Sequence, residues 1–395
     1  MYQLDKEKFI TKSYTNIPYI ENKKVLLRTC LNVITDSEGN MTDATRYHES
    51  FPAIKALAEQ AKMLLITAHL GRPKHNEAQY SFAKIAQKLA TDLWKQVNFV
   101  TDLADLEGIS EWIYFLENIR FFSGEDSKEQ VNRDQLAHVL VKSCDVFVND
   151  AFADYRESVS TYDVAKLLPS YIGPVFAREV LELSKLADPE RPFVAVLWWA
   201  KLSEKLDSLL ALLKVADKVL VGWAMIYTLL KAKGISVGDS LVEDDKLDVA
   251  KEIINQYWDT LVLLDDHMIV KEFKDPALVW YEYTPDHHVP EGRKAIDIWP
   301  KAIARFVQEL TQAKTIVWNW PMGVFEWETS AHGTQHIGKA IAENILAYTL
   351  VWGGDSIAAI NSLWLSGFNH ISTGGGAMLS YLAYESFPTL DVILK

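Results

Sequence analysis

Five loops in the second half of the chain combine residue types that can bind phosphate through their backbone amides, and tryptophans interrupt four of them. The loops are WWAK (198–201), GWAM (222–225), NWPMG (319–323), WGGDS (352–356) and STGGG (372–376). Each follows a short apolar run and precedes a helical pattern. Backbone amides at a helix start bind phosphate only if no bulky side chain blocks its approach. The pattern predicts a phosphate site and raises the question of whether the tryptophans obstruct it.

Two lysines accompany the first of these loops. Lys201 and Lys205 lie at the predicted start of the helix that follows FVAVL (193–197). A separation of four residues places both side chains on one face of the first turns. The helix dipole disfavours cations at this end unless an anion is bound there, so phosphate is a reasonable partner. The alternative is a solvated lysine pair that Glu204 balances.

Acidic and hydroxyl groups accompany the later loops. Asp355 follows two glycines at a predicted strand end, where its carboxylate can hold Mg²⁺ or its water shell. The amides of Gly353 and Gly354 and the hydroxyl of Ser356 can meet phosphate. Glu326 can accept hydrogen bonds from a ribose, although either acid is also a common helix cap. None of the loops matches GxGxxG or GxxxxGKS/T, which disfavours a Rossmann dehydrogenase and a P-loop ATPase.

In the first half, four predicted strands each lead to basic or polar side chains. These side chains are Arg28, Asn32, His69, Arg72, Arg120 and Arg156. Ligands of open α/β sheets bind beyond the carboxyl ends of the strands, and the guanidinium fork matches carboxylate and phosphate oxygens. The cluster therefore predicts a site for a small anion. The alternative is that each arginine is a solvated loop residue or half of a surface ion pair. Arg46 follows a loop rich in Asp and Gly and carries no signal of its own.

The elements that must position these residues are apolar runs alternating with helical patterns. The runs are 25–29, 64–68, 114–118, 146–150, 193–197, 218–222, 261–265, 315–319 and 349–353. Continuous apolar strands separated by helices are typical of parallel sheets covered on both faces. We predict two doubly wound parallel-sheet α/β domains, with a barrel as the alternative. The domains are predicted at 1–176 and 192–378, joined by a helix and hinge at 177–191, with a tail at 379–395 packing back on the N-terminal domain.

Composition excludes several classes of protein. A net charge of −13 over 395 residues argues against a general nucleic-acid binder. No run approaches 18 apolar residues, which argues against a membrane span. The N-terminus lacks a signal-peptide core, and the two cysteines, Cys30 and Cys144, cannot form a disulfide framework. We therefore predict a cytoplasmic protein.

Taken together, an ordered set of motifs resembles the phosphoglycerate kinase family over nearly the whole chain. The motifs are HLGRP (69–73), LENIRF (116–121), VNDAF (148–152), LPSYIG (168–173), SVGDSLVEDDKLDVAKEI (236–253), WPMGVFE (320–326) and ISTGGGA (371–377). One such motif is a weak signal, whereas the ordered set is strong. The resemblance implies a monomeric glycolytic kinase that transfers a phosphoryl group reversibly between 1,3-bisphosphoglycerate and Mg-ADP, with 3-phosphoglycerate and ATP as products.

The resemblance also implies a role for each matched residue. The N-terminal domain would bind the phosphoglycerate through Arg28, Cys30, Leu31, Asn32, Arg46, His69, Leu70, Gly71, Arg72, Arg120 and Arg156. The C-terminal domain would bind the nucleotide through Lys201, Lys205, Asn319, Pro321, Glu326, Gly353, Gly354, Asp355 and Ser356, with Asp355 at the metal. Charge on the moving phosphoryl group would be offset by Arg46, Lys205, Gly374, Gly375 and Gly376. A hinge would close the two domains.

The chain departs from the family pattern at several positions. Cys30 stands where the family has an aspartate that holds the substrate, and Ala295 replaces a glycine of the nucleotide pocket. The segment after VNDAF reads ADYRESVS (153–160), one residue shorter than in the family and without its histidine pair.

Tryptophan stands where the family has, or readily accepts, glycine at ten positions. These are Trp94, Trp112, Trp198, Trp199, Trp223, Trp258, Trp299, Trp320, Trp352 and Trp364. Returning them to glycine raises the glycine count from 18 to 28 of 395, about the usual 7%. Our hypothesis is that these codons are UGA, which some bacteria read as glycine, here translated as tryptophan. The alternative is a catalytically silent relative whose nucleotide pocket is blocked by indole rings.

Overall fold

The computed structural model divides the chain into two compact units. It describes residues 2–198, 201–203, 205–273, 280–319, 321–384 and 386–395, and of residues 223 and 224 the backbone alone. The first unit comprises Tyr2–Ser184 together with Glu385–Lys395. The second unit comprises Lys185–Tyr384.

A parallel sheet forms the centre of the first unit. Its described strands, in chain order, are β1 (Lys24–Thr29), β4 (Met63–Thr67), β5 (Val97–Val100), β6 (Trp112–Leu116), β7 (Val146–Asp150) and β8 (Ser170–Ile172). The strand order is β5-β6-β4-β1-β7-β8. A short antiparallel ribbon joins β2 (Ile34–Thr35) to β3 (Met41–Asp43). Strands β4 and β7 are buried along their whole length, as expected for apolar strands covered on both faces.

Helices cover both faces of this sheet. They are α1 (Lys6–Thr11), α2 (Thr45–Gln60), α3 (Ala83–Leu93), α4 (Gln130–Val141), α5 (Val164–Leu167), α6 (Pro174–Ser184) and α14 (Pro388–Leu394). Helix α3 is an example of helical apolar spacing: its buried stripe consists of Ile85, Ala86, Leu89 and Leu93. Helix α14 packs against α5 and β8, so the end of the chain joins the core of the first unit.

The second unit repeats the architecture. Its described parallel strands are β9 (Phe193–Trp198), β10 (Lys218–Gly222), β11 (Leu261–Val262), β15 (Thr315–Asn319), β16 (Tyr348–Trp352) and β17 (His370–Ser372). Their order is β11-β10-β9-β15-β16-β17. The helices are α7 (Leu206–Leu213), α8 (Trp223–Ala232), α9 (Leu247–Gln256), α10 (Pro300–Gln312), α11 (His332–Glu343), α12 (Gly354–Ser362) and α13 (Gly376–Ala383). A small antiparallel sheet has the order β13 (Tyr281–Tyr283), β12 (His267–Val270) and β14 (Lys294–Ile298).

The predicted fold class is confirmed, and the barrel alternative is wrong, since each parallel sheet is open with two edge strands. Eight of the nine apolar runs form strands close to their predicted bounds, whereas the run at 261–265 is a strand only at Leu261–Val262. Sequence patterning missed β5, β8, β17 and the antiparallel strands. Within the described part of the chain, no helix has the length and apolarity needed to cross a membrane.

Three of the tryptophans adopt a backbone conformation that side chains rarely take. Among the described non-glycine residues, positive φ occurs at Tyr19, Trp94, Trp112 and Trp364, with values of 53°, 54°, 79° and 54°. The residues after Trp94 and Trp364 donate back to carbonyls five positions earlier, Lys95 N to Ala90 O at 3.3 Å and Leu365 N to Ile360 O at 3.0 Å. This is the helix-ending motif in which glycine is the usual left-handed residue. The local geometry at both positions is therefore that of a glycine.

Candidate active site

The carboxyl ends of β6, β4, β1 and β7 lie side by side along one edge of the first sheet, which we call the acid edge. Hydrogen bonds link the predicted residues that follow β1, β4 and β6. Arg120 Nη1 donates to Gly71 O at 2.6 Å, and Gly71 N donates to Asn32 Oδ1 at 2.8 Å. Arg46, in the first turn of α2, donates from Nη1 to Asn32 O at 3.0 Å. The structure therefore brings together Arg46, Asn32, Gly71 and Arg120.

Two further predicted arginines belong to loops of the same edge. Arg72 follows Gly71 in the loop after β4, and Arg156 lies in the loop after β7. Both side chains are exposed, and the Arg156 guanidinium lies 5.9 Å from the centre of the Tyr155 ring. Exposed guanidinium groups that follow β4 and β7, the two neighbours of β1 in the sheet, suit the capture of an anion.

Arg28 and His69 occupy a deeper position. The Arg28 side chain is 2% exposed, and its Nη2 lies 3.0 Å from His69 Nδ1 and 3.0 Å from Asp154 Oδ2. Asp154 was not among the predicted site residues. Burial lowers the pKa of His69, while the nearby Asp154 carboxylate opposes this shift. Arg28 thus supports this edge from within the fold.

The side chains next to these residues are enclosed by protein. Leu31 and Leu70 belong to the apolar core, so any contact they make with a ligand is through the backbone. Burial, followed by the charge of Asp154, raises the pKa of Cys30 to about 11. Its thiol is therefore neutral and unsuited to act as a nucleophile.

The second unit gathers its glycine-rich loops in the same manner. Strands β10, β9, β15, β16 and β17 are consecutive parallel neighbours, so the loops that follow them share one edge, which we call the nucleotide edge. Helices α8, α12 and α13 begin there. A Cβ built on Gly354 or Gly375 meets no heavy atom within 4 Å. The start of each of these two helices is therefore open to a phosphate.

The two lysines lie differently from the prediction. Helix α7 begins at Leu206, so Lys201 lies in the preceding loop and Lys205 is the residue that caps the helix. The prediction that both occupy the first turns of one helix is therefore wrong. Lys201 is exposed and Lys205 is half-buried. Glu204, the predicted balancing charge, lies outside the described residues.

The polar residues of this edge divide into two groups. Asn319 Nδ2 and Ser356 Oγ both donate to Trp352 O, at 2.7 and 2.8 Å, so these two buried side chains join β15 and α12 to β16. Glu326 is exposed. Asp355 lies in the first turn of α12, and partial burial raises its pKa. A bound cation would stabilise the charged carboxylate and offset the cost of its partial burial.

Comparison with known proteins decides the family. A sequence model described as phosphoglycerate kinase matches residues 15–385. The chain belongs to the phosphoglycerate kinase family. It is 40% identical to the phosphoglycerate kinase of Nocardia farcinica over 391 residues, with 95% of each chain covered. It is 41% identical to that of Rhodococcus jostii, with 95% of this chain and 96% of the relative covered.

A solved structure supports the same assignment. The phosphoglycerate kinase of Coxiella burnetii superposes with a TM-score of 0.86 at 32% identity, covering 96% of this chain and 98% of that structure. These relatives carry the name of the enzyme and give no support to a catalytically silent variant.

The tryptophans that interrupt the phosphoglycerate kinase motifs are only partly described. Trp199 and Trp320 lie outside the described residues, as does the side chain of Trp223. Pro321, the next residue in the sequence after Trp320, is buried. Trp352 is 1% exposed, and its Nε1 has no hydrogen-bond partner within the described part of the chain. Its indole is thus enclosed in the unit with an unsatisfied donor, which costs about 1–3 kcal/mol.

Proposed function

We propose that this member of the phosphoglycerate kinase family is a glycolytic kinase that transfers a phosphoryl group between 1,3-bisphosphoglycerate and Mg-ADP. The products are 3-phosphoglycerate and ATP, and the reaction is reversible. The observation that carries the proposal is the contrast between the two sheet edges. One presents guanidinium groups, which suit a small polyanion, and the other presents open helix starts, which suit the phosphates of a nucleotide.

At the acid edge, the exposed arginines would bind the anionic groups of the phosphoglycerate. We assign Arg72, Arg120 and Arg156 to this role because their guanidinium groups reach solvent. Asn32, His69 and Gly71 would contact the rest of the molecule. Leu31 and Leu70 would contribute their backbone groups. The buried Arg28 and Cys30 would support these residues from the interior of the fold.

At the nucleotide edge, backbone amides would bind the phosphates. Gly353 and Gly354 open the start of α12, and Lys201 and Lys205 would supply positive charge. Glu326 would accept hydrogen bonds from the ribose, while Asn319, Pro321 and Ser356 would shape the loops.

Magnesium would enter with the nucleotide. Within the described residues no three His, Cys, Asp or Glu side chains gather into a metal site, which fits an ion held mainly by phosphate. Asp355 would hold it or its water shell, since a partly buried carboxylate with a raised pKa favours a cation. The ion would neutralise charge on the phosphate oxygens.

The chain's own groups would offset the charge that develops during transfer. Arg46, Lys205 and the amides of Gly374, Gly375 and Gly376 are assigned to this task. No covalent enzyme intermediate is required, because the acyl phosphate and the nucleotide exchange the group in line. A hinge closure that excludes water would accompany turnover.

A coupled spectrophotometric assay tests the proposal. ATP and 3-phosphoglycerate are supplied, and the acyl phosphate formed is consumed by a dehydrogenase that oxidises NADH. We expect activity that requires 3-phosphoglycerate, and a loss of about 100-fold in kcat for Arg46→Ala and for Lys205→Ala. Lys214→Ala, at the exposed far end of α7, is the matched control and keeps full activity. ATP turnover without 3-phosphoglycerate would refute the assignment.

The same proposal includes a cytoplasmic, monomeric enzyme that binds no nucleic acid. Cys30 and Cys144 are both free, which suits a reducing compartment. Sedimentation equilibrium at micromolar concentration tests the oligomeric state, and a mass near 44.8 kDa is expected.

A further inference from the structure

Asp154 places a carboxylate within the arginine-rich acid edge. The residue lies in the loop after β7, and its side chain is 15% exposed. Its Oδ2 lies 3.0 Å from Arg28 Nη2 and 3.2 Å from His69 Nδ1. Burial opposes ionisation of this carboxyl, but the neighbouring His69 and Arg28 outweigh it and hold the pKa well below its usual range. The group is therefore a fixed anion.

Arg28 holds this carboxylate from behind. Its Nε donates to Ser160 Oγ at 2.9 Å, and Ser160 Oγ donates to Glu125 at 2.6 Å. Its Nη1 donates to the carbonyl of Thr29. Because it makes these contacts and is only 2% exposed, the Arg28 guanidinium binds protein groups and not a ligand. Asp154, at 15% exposure, is more accessible than Arg28 or His69, at 2% and 6%.

A fixed anion in this position repels the anionic groups of a polyanionic substrate. It can bind such a substrate only through a hydrogen-bond donor. A carboxylate only accepts hydrogen bonds. Of the polar groups of 3-phosphoglycerate, the phosphate and carboxylate are acceptors at neutral pH, and the hydroxyl on C2 is the donor. Cys30, whose pKa is affected by Asp154, carries a neutral thiol and is a weak acceptor by comparison.

We propose that Asp154 accepts a hydrogen bond from the C2 hydroxyl of 3-phosphoglycerate and thereby selects 2-hydroxy acids over acids that lack this group. This inference rests on the proposed function and adds a specificity residue to it. Arg28 and His69 position the carboxylate, and the exposed arginines bind the two anionic ends of the same molecule.

Titration calorimetry tests the inference without requiring turnover. The ligands are 3-phosphoglycerate and 3-phosphonooxypropanoate, which differ only in the C2 hydroxyl. In the parent protein, the hydroxy acid should bind about 10–100-fold more tightly, the range for a hydrogen bond to a charged group. In Asp154→Ala, the two dissociation constants should differ by no more than about threefold. The reason is that only the hydroxy acid loses a hydrogen bond when the carboxylate is removed.

Two further variants control for folding. Asp154→Asn keeps the shape and one acceptor oxygen, so it should retain the fold and show an intermediate ratio. Glu157→Ala changes an exposed acid of the same loop and should leave the ratio at the parent value.

The opposing result is equally definite. If Asp154 only neutralises Arg28, Asp154→Ala and Asp154→Asn should weaken the binding of both ligands equally. The ratio of the two dissociation constants would then stay at the parent value, which would overturn the inference. Transfer from ATP to 3-phosphoglycerate with an unchanged ratio of dissociation constants overturns this inference alone. Absence of transfer in a variant with glycine at the ten tryptophan positions would overturn the proposed function.

Discussion

Glycine at the three left-handed tryptophan positions should stabilise the protein. At positive φ the Cβ of an L-residue crowds its own backbone, which costs about 1–2 kcal/mol at each position. Trp94 and Trp364 are 93% and 91% exposed, so removing either indole loses little buried surface. Glycine loses about 0.4–1 kcal/mol through the greater entropy of the unfolded chain. The net gain is therefore about 0.5–1 kcal/mol at each of these two positions. Trp112 is 64% exposed, and its gain should be smaller.

Thermal and urea unfolding followed by far-ultraviolet circular dichroism measure this gain. Trp94→Gly acts on the first unit and Trp364→Gly on the second, so their effects should add. For units of this size, 1 kcal/mol corresponds to about 2–4 °C in Tm. Tyr19→Gly, at φ 53°, is the positive control for the same conformation. Trp258→Gly changes an indole that is 70% exposed but is not among the positive-φ residues, and it should give no gain.

The reasoning fails if Trp94→Gly and Trp364→Gly leave the midpoints unchanged or lower them while Tyr19→Gly raises them. That result would mean that each indole makes contacts which outweigh the strain of its backbone.

Three further predictions concern the gene, the nucleotide edge and pH. The gene should carry UGA at the ten tryptophan positions and UGG at Trp318. UGG at the loop positions would refute the hypothesis that glycine codons were translated as tryptophan. The protein with glycine at those ten positions should turn over faster and bind Mg-ADP more tightly than the chain with tryptophan, and equal rates in the coupled assay would contradict this. Burial raises the pKa of Asp297 to about 8 from an ordinary 3.8, so the folded chain retains a proton that the unfolded chain has lost. Stability of the second unit should therefore fall as pH rises between these values, and Asp297→Asn should flatten the fall in the urea midpoint. Asp286→Asn, at a carboxyl whose pKa is lowered by the backbone N–H of His288, is the control that should leave this fall in place.

Sequence patterning predicted the sheets well because their strands are continuous apolar runs, a signal that burial on both faces produces. It missed β17 (His370–Ser372), which contains a polar residue at each end and is too short for a pattern to emerge. It also missed the antiparallel sheet, whose strand β13 is only partly buried. In both cases tertiary pairing, which no local window records, creates the strand.

The candidate site was predictable where chemistry follows directly from a strand end. Asn32, Gly71 and Arg120 meet through hydrogen bonds because the adjacent parallel strands β1, β4 and β6 end together. Arg46 joins them from the first turn of α2, and that position carried no signal in the sequence. The partners of Arg28 were not predictable in this way, since Ser160 is 132 positions away in the sequence. Asp154 carried one signal, its place in the loop that is one residue shorter than the family pattern. Lys201 was misplaced because the loop after β9 extends further than the helical pattern indicates.

The distribution of indole rings also determines how this protein can be observed. Trp198, Trp318 and Trp352, at 2%, 0% and 1% exposure, all belong to the second unit. The first unit contains two tryptophans, Trp94 and Trp112, and both are already largely in water. Fluorescence emission should therefore shift to longer wavelength when the second unit unfolds and should barely respond when the first unit does. A comparison of emission with circular dichroism would separate the melting of the two halves in a single sample.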